Sequence, residues 1–108
     1  SAADGVFAEL ALWLVERIGE PVKVAQMAEQ VNMSERSFHR KFSSSVGVTP
    51  AKYFENLRLE HAKTLIEAKL AVKSVAQRSG FQSESAFRSA FRHHFGVSPN
   101  HHAKMQVG

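Results

Sequence analysis

The strongest constraint on this chain is that it repeats itself. The segment SERSFHRKFSSSVGVTP (34–50) aligns with SESAFRSAFRHHFGVSP (83–99) at a constant offset of 49. Ser34 pairs with Ser83, Glu35 with Glu84, Phe38 with Phe87, Phe42 with Phe91, Gly47 with Gly96, and Pro50 with Pro99. Ahead of a turn the offset is 48, pairing Val24 with Val72, Ala28 with Ala76, Asn32 with Gly80 and Met33 with Phe81. The second copy therefore carries one extra residue near Gln82. Two copies are too few for a solenoid, so the chain is a duplicated unit.

Each copy has the periodicity of helices. Phe7, Leu10, Ala11, Leu14, Val15 and Ile18 fall at helical spacing, with Asp4 as the expected N-cap. Val24, Met27, Ala28 and Val31 make a short second helix. Asn32 turns the chain, and Ser34 caps a third helix that Gly47 ends. Thr49-Pro50 opens a long fourth helix over 50–68. Val72, Val75 and Ala76 begin a fifth, and Gly80 turns the chain. Ser83 caps a sixth that Gly96 stops, and Ser98-Pro99 opens a short last one. No stretch alternates with period two long enough for a strand. The fold class is all-α with seven helices. In each copy a short helix, a turn residue, an apolar plug (Met33 or Phe81) and a capped second helix make a helix-turn-helix.

Composition narrows the function. The 108 residues contain no cysteine, which excludes disulfides, thiolate metal sites and cysteine nucleophiles. No apolar run approaches the roughly 18 residues of a membrane span. A cytoplasmic setting is expected, with no cofactor and no membrane partner. The start, SAADG, has no Met and reads as a tag remnant or linker (1–5), with a polar tail at 104–108. The net charge of +4 is unevenly spread. Residues 1–33 hold two basic and five acidic side chains, whereas residues 34–108 hold twelve basic and five acidic. A polyanion partner would meet the chain after Met33. No glycine-rich phosphate loop, HExxH or nucleophile elbow occurs, so an enzyme is not expected. The pairs His93-His94 and His101-His102 are adjacent on their helices and point about 100° apart, a poor chelate, so no metal site is expected.

Helix geometry names the candidate readers. Phe38 and Phe42 define the buried face of the third helix, so Arg36, Arg40 and Ser43 point away from it and His39 flanks them. In the sixth helix Phe87 and Phe91 are inward, Ser85, Ser89 and Arg92 outward, and Arg88 flanks. The second helix of a helix-turn-helix lies in a DNA major groove, where arginine pairs with guanine and His or Ser bond more permissively. Arg36, His39 and Arg40 are therefore candidate base readers in one groove, and Ser85, Arg88 and Ser89 in the next. Ser34, Ser43, Ser83 and Arg92 are candidates for phosphate. Glu35 and Glu84 follow the caps and favour the helix dipole.

These residues resemble the DNA-binding domain of AraC/XylS-type bacterial transcription regulators. The resemblance rests on Ala28, SERSFHRKF (34–42), GVTP (47–50), RLEHAKTLI (58–66) and the second-copy pattern A-x-x-x-GF-x-S-x-S-x-F-x-x-x-F-x-x-x-FGVSP (76–99). It covers about Val6 to His102. It implies a homeodomain-like tandem, with one helix-turn-helix unit over 6–49, a linker helix over 50–68 and a second unit over 69–103. It implies sequence-specific double-stranded DNA binding in adjacent major grooves. Its recognition positions fall on Arg36, His39 and Arg40, and on Glu84, Ser85, Arg88 and Ser89. RNA polymerase and an upstream effector-binding domain are the further partners it implies. The wording FRSAFRHHFGVSP is similar to a branch carrying an amidotransferase-like sensing domain. Lys23 and Ala71 depart from the family by standing where a Ser or Thr cap is usual, and Ser85 and Ser89 are small for base readers. The alternative is a protein-interaction module that keeps the fold without binding DNA.

Overall fold

Side-chain caps mark where four of the helices begin. In this computed structural model the backbone of residues 2–106 and the side chains of residues 5–106 are described. Seven helices follow one another: α1 (Ala2–Val15), α2 (Val24–Gln30), α3 (Glu35–Val46), α4 (Pro50–Glu67), α5 (Val72–Arg78), α6 (Glu84–Phe95) and α7 (Pro99–Met105). Among the described residues there is no strand. Ser34 Oγ accepts from the Ser37 amide at 3.2 Å, Ser83 Oγ from Ala86 at 3.0 Å and Ser98 Oγ from His101 at 3.0 Å. Thr49 Oγ1 accepts from the Lys52 amide at 3.3 Å. Each bond satisfies one of the amides that a helix leaves without a partner in its first turn.

One expectation about caps needs correcting. α1 already begins at Ala2, so Asp4 lies within the helix; its side chain falls outside the described residues. Lys23 has only donors on its side chain and does not cap α2. Instead Gln26 reaches back, and its Oε1 accepts from the Lys23 amide at 2.7 Å. That is the return half of a capping box, and it satisfies the Lys23 amide while the side-chain half is missing. Ala71, ahead of α5, makes no side-chain cap.

The chain divides into two compact units at the Glu55–Asn56 bond, within α4. In the first, Phe7 of α1 meets Phe38 and Phe42 of α3 edge-on, with ring centroids 6.1 and 5.1 Å apart. Phe42 meets Tyr53 of α4 at 5.2 Å. Leu10, Leu14, Ile18, Met27, Ala28 and Phe54 complete the buried set. In the second, Phe87 and Phe91 are buried with Leu59, Ala62, Ile66, Val75 and Ala76. Phe81 packs on Phe87 at 5.5 Å, as the apolar plug of the turn. Ala28 and Ala76, equivalent in the repeat, are both buried where α2 packs on α3 and α5 on α6.

The duplication reaches further back than the motif does. At the same offset of 48, Leu14 stands opposite Ala62 and Ile18 opposite Ile66, and all four are buried. At the offset of 49, Tyr53 stands opposite His102. Phe42–Tyr53 and Phe91–His102 are equivalent ring contacts, the second at 6.1 Å. The second half of α4 therefore does for the second unit what α1 does for the first. The first turns of α4 close the first unit as α7 closes the second. α4 is thus the last helix of one copy and the first of the next. Pro50 and Pro99, equivalent residues at the closing turns, are both fully buried.

Left-handed residues make the tight turns. Gly47 (φ 91°), Gly80 (φ 79°) and Gly96 (φ 80°) adopt the region that glycine tolerates, and Asn32 adopts it at φ 55°. Lys69 also adopts it, at φ 71°, just past the end of α4. Its Nζ donates to the Gln106 carbonyl at 2.6 Å, and beside it His102 Nε2 lies 3.0 Å from Glu67 Oε2. These contacts fasten α7 to the end of α4.

Phe38→Ala and Phe87→Ala should each cost about 3–5 kcal/mol in urea unfolding, since each removes a ring from a closed core. Asn32→Ala should cost about 1–2 kcal/mol, the left-handed penalty for a residue with a Cβ, while Asn32→Gly should be tolerated.

Candidate nucleic-acid interface

The inward Phe pairs decide what the helices present outward. Phe38 and Phe42 are 0% and 1% exposed, and Phe87 and Phe91 are both 0%. With that face turned in, Arg36, His39 and Arg40 stand exposed on α3 and, with Glu35, line one shallow depression. Among the described residues, neither Arg36 nor Arg40 forms an ion pair, so both guanidinium groups keep their donors for an outside partner. Lys41 is exposed beside them. The candidate readers of the first unit are brought together on one helix face.

Ser43 sits differently from its expected outward position. It occupies the last turn of α3, where the Gly47 amide bonds to its carbonyl at 2.9 Å as the chain doubles back. Its residue is half-buried, and its Oγ is sealed from solvent without a hydrogen-bond partner among the described residues. Ser34 and Ser83 are exposed, and their oxygens are engaged as caps while their O–H groups remain able to donate.

The second unit presents a different set. Ser85 and Ser89 are exposed on α6, as is Arg92 in its last turn. Arg88 is half-buried and engaged on both sides. Its Nε lies 3.6 Å from Glu84 Oε2, one turn earlier, and its Nη1 donates to Asn100 Oδ1 on α7. Asn100 lies one residue past the motif that ends at Pro99, and no spacing rule in the sequence points to it. Glu84 follows its cap at the dipole-favoured first turn and also serves as the carboxylate partner of Arg88. Among the described residues no group of three or more metal-ligating side chains gathers. No helix among them is long and apolar enough to cross a membrane.

Two helix-turn-helix units, each with a Phe-anchored second helix, match a known family. The family model described as "Helix-turn-helix domain" matches residues 27–105. The chain belongs to the AraC-type helix-turn-helix domain family. It is 35% identical over 91 residues to the HTH-type transcriptional activator RhaS of Escherichia coli O139:H28, covering 83% of this chain and 33% of that protein. It is 34% identical over 88 residues to the probable transcriptional regulator LumQ of Photobacterium leiognathi, covering 81% and 36%. The chain thus spans about a third of the length of these curated relatives. Among solved structures, it superposes with TM-score 0.90 on an AraC-type regulator from Chromobacterium violaceum at 26% identity, covering 98% and 96%. It superposes with TM-score 0.86 on the DNA-binding domain of AdpA in complex with a target DNA, at 34% identity, covering 93% and 91%.

The AraC-type outward face is separable from the core. Arg36→Ala and Arg40→Ala should leave unfolding free energy within about 0.5 kcal/mol of the parent. Ser34→Ala and Ser83→Ala should each cost about 1 kcal/mol, through the lost caps. Chemical denaturation of the four variants distinguishes the two classes.

Proposed function

We propose that the chain is the DNA-reading part of a bacterial transcription regulator and binds double-stranded DNA sequence-specifically in two adjacent major grooves. The observation that carries this reading is the pair of exposed arginines Arg36 and Arg40, without ion pairs among the described residues and held outward on α3 by the buried Phe38–Phe42 face. The DNA in the AdpA complex is what that relative binds, and the 34% identity over nearly the whole chain supports the same class of partner here.

Roles follow from chemistry. Arg36, His39 and Arg40 read base edges in the first groove, with the arginines placing paired donors against guanine. Arg88 reads in the second groove, with Ser85 and Ser89 making short, permissive bonds. Ser34, Ser83 and Arg92 bond phosphates, the two serines from helix starts where the dipole also favours an anion. The rest of the regulator, of the length seen in its relatives, supplies the effector-binding domain, and its cytoplasmic partner after DNA binding is RNA polymerase.

Selection from random duplexes followed by salt titration tests the reading. Log affinity should fall with log salt at a slope of magnitude about 5 or more, matching roughly six neutralised phosphates. Arg40→Ala should flatten the preference at one base pair, at a cost of about 1–3 kcal/mol, while Arg92→Ala weakens all sequences alike. An unchanged base preference in Arg40→Ala would remove Arg40 from the readers. An absence of binding to any duplex at low salt would remove the function.

A further inference from the structure

The two reader helices are equivalent in the repeat but not in how they hold their basic side chains. At the offset of 49, Glu35, His39 and Ala51 occupy the places of Glu84, Arg88 and Asn100. The first unit therefore has a short imidazole and a methyl group where the second has a guanidinium and its amide partner. Arg36 and Arg40 are exposed without ion pairs among the described residues, whereas Arg88 is half-buried between α6 and α7. A contact found in only one of two copies is not required by the duplicated fold.

We propose that Asn100 is a positioning residue for DNA reading by Arg88: with Glu84 it holds the guanidinium in one pose, so that α6 presents a pre-set arginine to a guanine. This rests on the reading of Arg88 given above. Arginine has five donors in a planar fork and a long stem with much rotamer freedom. Glu84 faces the Nε edge and Asn100 takes an Nη1 hydrogen, and Nη2 is engaged by neither. The two partners stand on different helices, so they fix both the reach of the stem and the plane of the fork. An arginine already ordered before binding loses less freedom when it meets a base, and a wrongly placed base cannot recruit it by a change of rotamer. The neighbours Ser85 and Ser89 are too short to discriminate strongly, so the base selectivity of the second unit depends on this one side chain and its pose.

The test is a double-mutant cycle on the full 108-residue chain. It uses a duplex carrying the site selected from random DNA, and duplexes with single base-pair changes. Arg88→Ala identifies the base pair at which selectivity is lost. Asn100→Ala should then lower selectivity at that same base pair by about threefold to tenfold. It should leave the salt slope unchanged and produce no further loss in the Arg88→Ala background. Asn100→Asp keeps an oxygen acceptor and should retain the selectivity ratio even where the added charge weakens overall affinity. Full selectivity in Asn100→Ala, at a base pair where Arg88→Ala loses it, would overturn the proposal. So would an Asn100→Ala effect of equal size without Arg88, since Asn100 would then touch DNA itself. If Arg88→Ala flattened no position, Arg88 would not be a reader, a distinct failure that removes the proposal together with that assignment.

Discussion

Everything on the outward surface depends on two i, i+4 phenylalanine pairs. Phe38 with Phe42, and Phe87 with Phe91, are sealed in their units at ring separations of 5.4 and 5.8 Å. Burying two rings on one stripe fixes the rotation of a helix about its axis more firmly than any surface charge can. Once that rotation is set, the residues at the opposite positions have no choice but to face solvent. The arginines of α3 are therefore placed by hydrophobic packing, and their exposure is a consequence of where the Phe rings go.

The same principle explains how one short chain builds two units. A helix-turn-helix is too small to bury its own apolar face and needs a helix on either side. The first unit uses α1 and the first turns of α4. The second uses the rest of α4 and α7. Sharing α4 lets each copy close its core without an additional element. The equivalences Leu14 with Ala62, Ile18 with Ile66 and Tyr53 with His102 mark this economy in the sequence.

Much of the fold is legible in the amino-acid sequence. Ser caps, glycine stops and the Phe spacing are local signals. They place α3 and α6, and the outward positions of Arg36, His39 and Arg40, from residues within a few positions of one another. Features set by partners far along the chain are not legible in this way. Asn100 is 12 residues from Arg88, and their bond depends on how α7 packs against α6. Ser43 looks outward by helical angle, but its hydroxyl is sealed from solvent without a partner among the described residues. Gln26 bonds back to the Lys23 amide where Lys23 itself forms no side-chain cap, a contact visible only once the helix start is known. Part of the repeat is hidden because Leu14 and Ala62, and Tyr53 and His102, share a packing role rather than residue type.

If the Phe pairs set the outward face, DNA must meet the side of α3 and α6 opposite them. The most direct measurement is a heteronuclear NMR titration of the chain with a duplex carrying its selected site. Shifts should concentrate on residues 34–41 of α3 and 83–92 of α6, with the arginine side-chain signals of Arg36, Arg40 and Arg88 among the most affected. Leu12 and Val15, exposed on α1, should stay unmoved. Shifts confined to the α1 face, with the α3 and α6 arginines silent, would contradict this placement of the DNA.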